Sequence, residues 1–160
     1  MKGIYLASKK HRIPGYDIDY NDIIAFDGIN VLGDMMDVDL NKYDFIIATP
    51  PCNYYSRANW RRESSEVAQN TKHLLPSILS KCVSLGKPFI VENVMNASLL
   101  PKSSVYEFDF GQHHFYTNVF MFTPDKSFAK RQNKQFLSRS RRDGNENVDL
   151  IIKLFLEVIQ

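Results

Sequence analysis

The sequence predicts an α/β fold in a single domain over residues 1–160, with a mostly parallel sheet flanked by helices. Two near-continuous apolar runs, at residues 43–49 and 87–94, have the composition of strands that are buried on both faces. The segment between them has helical periodicity, so strand, helix and strand follow one another and predict a right-handed crossover. A chain of 160 residues that is 44% hydrophobic is long enough to bury a core of its own.

The first third of the chain predicts three short strands. They cover residues 3–7, 29–33 and 43–49, with the letters GIYLA, INVLG and YDFIIAT. The second strand follows Asp27-Gly28, a dipeptide that marks a turn. The third is a near-continuous run of β-branched and aromatic residues, and we therefore expect it to be buried on both faces.

A helix is predicted over residues 65–85. Its apolar residues recur at helical spacing and are Val67, Leu74, Leu75, Ile78, Leu79, Cys82 and Val83. Pro76 has no N–H to donate, so we expect the helix to be kinked or restarted there. Gly86 supplies a stop at the C-terminal end.

Three more strands and a final helix are predicted in the second half. The strands cover residues 87–94, 105–110 and 113–122. The final helix begins near Asn147, and Asn145 or Asn147 is expected to cap it. One apolar stripe runs along that helix and consists of Val148, Ile151, Ile152, Phe155, Leu156 and Ile159.

Charge is distributed unevenly along the chain, although the net charge is only +2. Residues 17–44 hold eight aspartates and one lysine, whereas residues 126–142 hold seven lysines and arginines and no acid. The basic segment predicts either a polyanionic partner such as nucleic acid or a solvated, flexible surface loop.

Composition also argues against several classes of protein. No apolar run approaches the ~20 residues of a membrane span, and the N-terminus lacks the layout of a signal peptide, so we expect a cytoplasmic protein. Cys52 and Cys82 are too few for a disulfide framework, and no histidine and cysteine spacing predicts a metal site. Cys82 belongs to the helical pattern and is expected to be buried.

Two reactive side chains fall where predicted strands end. Cys52 follows two prolines directly after strand 43–49, and Glu92 lies near the end of strand 87–94. Ligands of parallel sheets bind beyond the carboxyl ends of the strands, so we expect one site. A thiolate needs a favourable local field, which a helix or an arginine nearby would supply, and a partly buried glutamate would hold and donate a proton. The alternatives are a structural thiol in a rigid turn and an ion-paired glutamate.

Motifs at these two strand ends resemble those of the DNA cytosine-5 methyltransferases. Residues 51–56, Pro-Cys-Asn-Tyr-Tyr-Ser, resemble the family's Pro-Cys-Gln-x-Phe-Ser motif, and residues 92–94 match its Glu-Asn-Val motif. The letters SRAN at 56–59 and HHFYTN at 113–118 resemble the small phage-type members. The resemblance covers roughly residues 29–122.

This resemblance implies a Rossmann-like core of the methyltransferase type and a specific reaction. Cys52 would add to carbon 6 of a cytosine, Glu92 would hold the ring at nitrogen 3, and Asn93 would orient the loop. Ser56 belongs to the cysteine motif and is the fourth catalytic candidate. Carbon 5 would take a methyl group from S-adenosylmethionine, and the base would be flipped out of a DNA duplex.

Cofactor contacts are implied as well. Asp34 matches the position that touches the cofactor adenine, although a turn aspartate after a glycine is the alternative. Pro50 would lie close to the cofactor. Asp19 ends the segment in which the family grips its cofactor. Gly144-Asn145 resembles the start of the family's late Gly-Asn-x-Val motif, which makes Asn145 a further candidate.

Basic residues near the cysteine are candidates for contacts with nucleic acid. Arg57, Arg61 and Arg62 suit phosphate contacts, with a solvated face as the alternative. Arg139 and Arg141 have the spacing of the family's Arg-x-Arg motif, but they come after the FYTN segment, where the family does not have it.

Histidines and aromatic residues complete the candidates. His113 and His114 stand near the usual place of the Arg-x-Arg motif, and adjacent residues of a strand point to opposite faces, so one of them is expected to reach the site. Tyr54, Tyr55 and Trp60 suit either stacking on a base or packing against the protein.

The chain departs from the family at its N-terminus. Residues 3–19 contain only Gly3 and Gly15, so the Gly-rich loop that wraps the cofactor is degenerate or missing. Residues 106–146 are too few for a target-recognition region of the usual size. On the paired motifs at Cys52 and Glu92, the predicted function is nevertheless that of a cytosine-5 methyltransferase of DNA. Its alternatives are an inactive methyltransferase-like protein that binds DNA or a partner chain, and one subunit of a split methyltransferase.

Overall fold

The structure is a computed structural model, and it describes residues 11, 13–22, 30–57, 59–94, 97, 105–125, 127 and 146–160. The strands are β1 (Asn21–Asp22), β2 (Val31–Leu32), β3 (Ile46–Ala48), β4 (Phe89–Val94), β5 (Tyr106–Phe110) and β6 (His113–Thr117). The helices are α1 (Glu66–Thr71), α2 (Leu74–Leu85) and α3 (Glu146–Ile159), with a short 3₁₀ helix at Leu40–Lys42. The fold is therefore mixed α/β, as the sequence predicts.

Two sheets are present in the described part of the chain. β1 and β2 pair in parallel, and the larger sheet has the order β3-β4-β6-β5. β3 pairs with β4 in parallel, whereas β6 is antiparallel to both β4 and β5. A tight hairpin joins β5 to β6, and β6 lies between β4 and β5 in the sheet. Because β6 is antiparallel to both neighbours, the prediction of a mostly parallel sheet is not confirmed. β5 itself runs in the same direction as β3 and β4.

The hairpin between β5 and β6 depends on Gly111. Phe110 pairs with His113, so the turn has two residues, and Gly111 has a φ of 66°. Glycine adopts this left-handed conformation without the steric penalty that a Cβ atom brings. A Cβ atom on Gly111 would also lie 2.3 Å from Nδ2 of Asn147, which is in the first turn of α3. Gly111 therefore permits both the reversal of the chain and the close approach of α3.

The predicted helix over 65–85 forms as two helices, α1 and α2. The Ser65 side chain accepts a hydrogen bond from the N–H of Ala68 at 3.3 Å and caps α1. Pro76 lies in the first turn of α2, where an N–H has no partner within the helix, so the proline marks a restart. Gly86 ends α2 in the left-handed conformation, with a φ of 66°.

The helices cover opposite faces of the larger sheet. α3 packs against the face that carries Ile90 and Phe115, and α2 packs against the face that carries Phe89, Val91 and Tyr116. The alternation along β4 follows from the two-residue period of a strand. Both faces are buried, as the near-continuous apolar run at 87–94 predicts.

Several expectations need adjustment or lie outside the described residues. α3 begins at Glu146, so Asn147 is inside the helix and is not its cap. The strand predicted at 3–7, Asn145 and most of the basic segment 126–142 lie outside the described residues. Cys82 is fully buried, as predicted. Among the described residues, no helix has the length and apolar character to cross a bilayer.

Candidate active site

The carboxyl ends of β3 and β4 lie side by side and bring Cys52 near Glu92. Ile46, Ile47 and Ala48 pair in parallel with Phe89, Ile90 and Val91. After β3, the chain folds into a tight turn in which the backbone N–H groups of Tyr55 and Ser56 donate to the Cys52 carbonyl at 3.1 and 2.9 Å. The Cys52 thiol is free and partly buried. The turn therefore holds the thiol at the end of the sheet.

Asn93 joins the end of β4 to the proline segment before Cys52. Its side chain is 1% exposed, and Nδ2 donates to the Pro50 carbonyl at 3.1 Å. Its Oδ1 atom accepts a hydrogen bond from the N–H of Val94 at 2.9 Å. A buried amide that satisfies two backbone groups positions both of them, because leaving either unpaired is costly. Asn93 thus fixes Pro50 relative to β4.

Glu92 is paired with His113 across the strands. His113 Nδ1 lies 2.5 Å from Glu92 Oε1, and the two side chains are 18% and 14% exposed. The register places Val94 opposite His113 and Glu92 opposite Phe115, so the two side chains are diagonal neighbours on one face of the sheet. The His113 ring also tilts against the Phe115 ring. Glu92 is therefore held in place at the end of the sheet beside Cys52.

His114 points to the opposite face, away from Glu92. Its Nδ1 atom lies 2.5 Å from Asp109 Oδ1, and its Nε2 atom lies 2.7 Å from Glu107 Oε1. The second approach is a close contact without the alignment of a hydrogen bond. The imidazole is 4% exposed and packs edge-on against Tyr116. The alternation of the strand thus brings His113, and not His114, to the candidate site.

The local field at Cys52 differs from the expectation. Burial raises the pKa of the Cys52 thiol above its usual value, and the negative charge of Glu92 raises that pKa further. The backbone hydrogen bond at Cys52 acts in the other direction but is the weaker influence. The prediction of a field that favours the thiolate is therefore wrong for this state. The main reason is the burial of the thiol, and the carboxylate of Glu92 adds to it.

A cavity of about 250 Å³ lies beside the same proline segment. Its lining includes residues 19–22, 33–35 and 45–51, together with side chains of the 3₁₀ helix and α2. Three of the four cofactor candidates line it, namely Asp19, Asp34 and Pro50. The carboxyl ends of β1, β2 and β3 therefore border one cavity that extends to the residue before Cys52.

The acidic residues of the cavity are also bonded locally. Asp34 Oδ1 accepts a hydrogen bond from the N–H of Met36 at 2.9 Å, which is the turn arrangement that the alternative interpretation of Asp34 describes. The hydroxyl of Tyr43 donates to Asp19 Oδ2 at 2.9 Å, and the amide of Asn30 donates to Asp19 Oδ1. These bonds leave further acceptor positions on each carboxylate.

Sequence reasoning missed the residues that support this cavity. Lys81 Nζ donates to three backbone carbonyls, those of Met35, Met36 and Val38, at 3.0, 2.8 and 2.8 Å. The ammonium group thereby holds the segment that follows Asp34. The sequence shows only that a lysine stands among the apolar positions of α2, and this does not identify the distant carbonyls that it contacts.

The basic candidates after Cys52 lie in a chain of turns. Arg57 and Arg61 are exposed, and Arg62 is partly exposed. The Arg61 guanidinium lies 4.4 Å from the centre of the Trp60 ring. Ser56, the fourth catalytic candidate, contributes its backbone N–H to the turn over Cys52. Arg139 and Arg141 lie outside the described residues.

Comparison with known proteins adds no relative. No family model matches this chain, and no curated protein or solved structure matches it either.

Proposed function

We propose that this protein is a cytosine-5 methyltransferase of DNA with a Rossmann-like, methyltransferase-type core. The observation that carries the proposal is the meeting of Cys52, Glu92 and Asn93 at the carboxyl ends of two parallel strands. The paired motifs of the sequence would be expected to meet there if they form one site. Three of the four strands of the larger sheet share a direction, which supports the core that the resemblance implies.

In the proposed reaction, Cys52 is the nucleophile. Its sulfur forms a bond to carbon 6 of the cytosine, and the electron pair of the ring double bond moves to carbon 5. Carbon 5 would then take the methyl group as the methyl–sulfur bond of S-adenosylmethionine breaks and the neutral thioether leaves. A base would remove the proton of carbon 5, and the electron pair left behind would re-form the ring double bond as the bond to the Cys52 sulfur breaks. The Pro50 carbonyl, held by Asn93, and the turn over the Cys52 carbonyl keep the thiol in one orientation.

Glu92 is proposed to contact the ring at nitrogen 3, where electron density builds up during the attack. A carboxyl group that hydrogen-bonds or protonates this nitrogen stabilises the developing charge. The 2.5 Å contact with His113 Nδ1 would orient the Glu92 carboxyl group for this contact. A substrate in contact with Glu92 would screen the charge that disfavours the Cys52 thiolate. The two residues would therefore become active together.

The cavity beside Pro50 supports S-adenosylmethionine as the cofactor. Its walls are largely apolar, and Asp19 and Asp34 line it, as a group with an aromatic ring and several hydroxyl and ammonium donors would require. Its volume of about 250 Å³ lies just below the roughly 300–1,000 Å³ of most ligand pockets. When bound, the cofactor would supply the methyl group, and Pro50, which lines the cavity two positions before Cys52 in the chain, would lie close to it.

An inactive protein that binds DNA or a partner chain is the second candidate, and one subunit of a split enzyme is its variant. The observation in favour is the raised pKa of the Cys52 thiol, because a nucleophile that is mostly protonated attacks slowly. Screening of the Glu92 charge by a substrate would remove only part of this rise in pKa, since burial is its larger cause.

A trapping experiment tests the proposal. The protein is incubated with S-adenosylmethionine and a duplex that carries 5-fluorocytosine, whose fluorine cannot leave as a proton does. We expect a covalent complex that requires the cofactor, is lost in Cys52→Ala and persists in Cys82→Ala. The proposal is overturned if no complex forms and calorimetry detects no cofactor binding at millimolar concentration. DNA binding without the complex would favour the second candidate.

A further inference from the structure

Trp60 is the most unusual side chain near Cys52. It is the only tryptophan of the chain, and it is 77% exposed. Tryptophan is rarely this exposed, because its ring removes a large apolar area from water when it is packed. The neighbouring aromatic residues behave differently: Tyr55 is partly buried and its hydroxyl donates to the Lys72 carbonyl at 3.0 Å. Of these residues, the fold thus leaves Trp60 most exposed to solvent.

Successive turns fix the segment that carries Trp60 to the Cys52 turn. The N–H of Ser56 donates to the Cys52 carbonyl at 2.9 Å, and the N–H of Asn59 donates to the Ser56 carbonyl at 3.1 Å. The Asn59 side chain donates to the Asn53 carbonyl at 3.0 Å, which closes the segment on itself. Trp60 is thus attached to the nucleophile segment through a continuous series of hydrogen bonds.

The surroundings of Trp60 are basic on balance. Residues 52–72 contain Arg57, Arg61, Arg62 and Lys72 against the acids Glu63 and Glu66. The Arg61 guanidinium lies over the Trp60 ring, 4.4 Å from its centre. A guanidinium stacks on one face of an aromatic ring, and the other face can stack on a flat partner such as a base. With three quarters of the residue exposed, that other face is accessible.

We propose that Trp60 and Arg61 form a stacking platform for an unpaired nucleic-acid base beside the base that Cys52 attacks. The inference rests on the proposed function only for the identity of the attacked base. Flipping a base out of a duplex leaves its partner unpaired and takes a stacking contact from its neighbours, and an aromatic ring stabilises an unpaired base by stacking on it. The arginines of the same segment supply contacts to the phosphates on either side.

A protein partner fits a different part of the surface better. Tyr106, Phe120 and Phe122 contact one another edge to face, with ring centres 5.8 and 5.5 Å apart, and are 51%, 63% and 85% exposed. An apolar cluster of this kind is typical of surfaces that proteins bury on association. Trp60 instead contacts a charged, planar group. The two exposed aromatic sites therefore differ in the partner that each suits.

The single tryptophan makes the proposal directly measurable. Trp60 fluorescence is followed while the protein is titrated with a cytosine-containing duplex and with the same duplex carrying one unpaired base next to the cytosine. We expect saturable quenching by both, stronger and at lower concentration for the second. A change of this kind reports on stacking at Trp60 itself, because no other tryptophan contributes.

Matched variants test whether the contact provides affinity. Binding of a dye-labelled duplex with one unpaired base is measured by anisotropy for Trp60→Ala, Trp60→Phe and Phe122→Ala. Stacking of one base predicts that Trp60→Ala raises Kd by about 5- to 150-fold, whereas Trp60→Phe retains most of the affinity. Phe122→Ala removes a comparably exposed ring from the other cluster and should leave Kd unchanged.

Each alternative result is informative. Unchanged fluorescence, or equal Kd values for wild type and Trp60→Ala, overturns the proposal, and loss of affinity in Phe122→Ala would assign the contact to the other cluster. Absence of nucleic-acid binding at any concentration overturns it as well. If the 5-fluorocytosine complex forms and Trp60→Ala binds the duplex as tightly as wild type, the proposed function stands and the stacking platform is overturned. If Trp60 fluorescence is quenched but no covalent complex forms, the stacking platform stands without the proposed reaction.

Discussion

His113 and His114 are adjacent in β6, and each has a ring nitrogen 2.5 Å from a carboxylate oxygen. His113 contacts Glu92 on the face that α3 covers, at the end of the sheet where Cys52 lies. His114 contacts Asp109 and Glu107 on the other face, with only 4% of its surface exposed. The same residue type in the same strand therefore serves two environments, one beside a nucleophile and one enclosed by acids.

This contrast teaches that function cannot be assigned to a histidine from its own contact alone. The role of each histidine depends on what surrounds the carboxylate that it contacts. Glu92 influences the Cys52 thiol through its charge, whereas Asp109 and Glu107 have no nucleophile among the contacts described. We therefore expect changes on the His114 face to act on stability and changes on the His113 face to act on Cys52 reactivity.

The largest expected effect on stability is that of His114→Ala. Removing the imidazole takes the partner away from two carboxylates, those of Asp109 and Glu107, and leaving a buried polar group without its partner costs about 1–3 kcal/mol. We expect a loss of about 3 kcal/mol, because the enclosed Glu107 carboxylate loses its neighbour, whereas the Asp109 side chain is still 39% exposed to water. Urea denaturation measures the free energy of unfolding.

His113→Ala is the matched control. It removes one hydrogen bond at a partly exposed position, and we expect a loss of about 1.5 kcal/mol. Equal losses of unfolding free energy in the two variants would show that both histidines have a structural role and that the two faces do not differ in this respect.

Asn93→Ala is expected to reduce stability by about 2 kcal/mol, because the buried Pro50 carbonyl would lose its donor. The same change should loosen the Cys52 segment and accelerate alkylation of Cys52 by iodoacetamide. Asn118→Ala provides the control at the other end of β4, where the Asn118 side chain bonds the backbone of Phe89 and Lys87 at 2.9 Å each. Asn118→Ala should reduce stability without changing Cys52 alkylation. A Cys52 rate that is unchanged in Asn93→Ala would contradict the positioning role.

Glu92→Gln is expected to make Cys52 react several-fold faster with iodoacetamide at pH 8. The Glu92 charge raises the pKa of the Cys52 thiol, so its removal lowers that pKa and increases the thiolate fraction at a given pH. The pH profile of alkylation should shift downward, although burial keeps the pKa above that of a free thiol. Glu107→Gln, on the His114 face, should leave the profile in place. A slower reaction in Glu92→Gln would reverse the sign and refute the coupling.

The smallest expected effect is on Cys82, which should not react at all in the folded protein. Burial raises the pKa of Cys82 to about 12, and its side chain is fully enclosed in the α2 face of the core. Peptide mass spectrometry after alkylation at pH 8 should detect modified Cys52 and unmodified Cys82. Modification of Cys82 at the rate of Cys52 would mean that the helix opens under native conditions.

Local patterns predicted much of this structure because they reflect interactions within a few residues. The restart of the helix near Pro76, its end at Gly86 and the buried strand at 87–94 follow from a missing N–H, a left-handed conformation and an apolar run. The antiparallel position of β6 was not predictable in this way. It depends on which strand edge the hairpin joins, and this is a contact between residues far apart in the chain.

The candidate site also has features that local patterns predict and features that depend on contacts between distant residues. By itself, the sequence determined that Cys52 and Glu92 stand at strand ends and that the two adjacent histidines point apart, because strand geometry alone requires this. Two contacts could be seen only in the tertiary structure: His113 is the histidine beside Glu92, and the Asn93 side chain donates to the Pro50 carbonyl. The raised pKa of the Cys52 thiol also follows only from the folded arrangement. Charge and burial act through space, so they depend on distances that no local pattern contains.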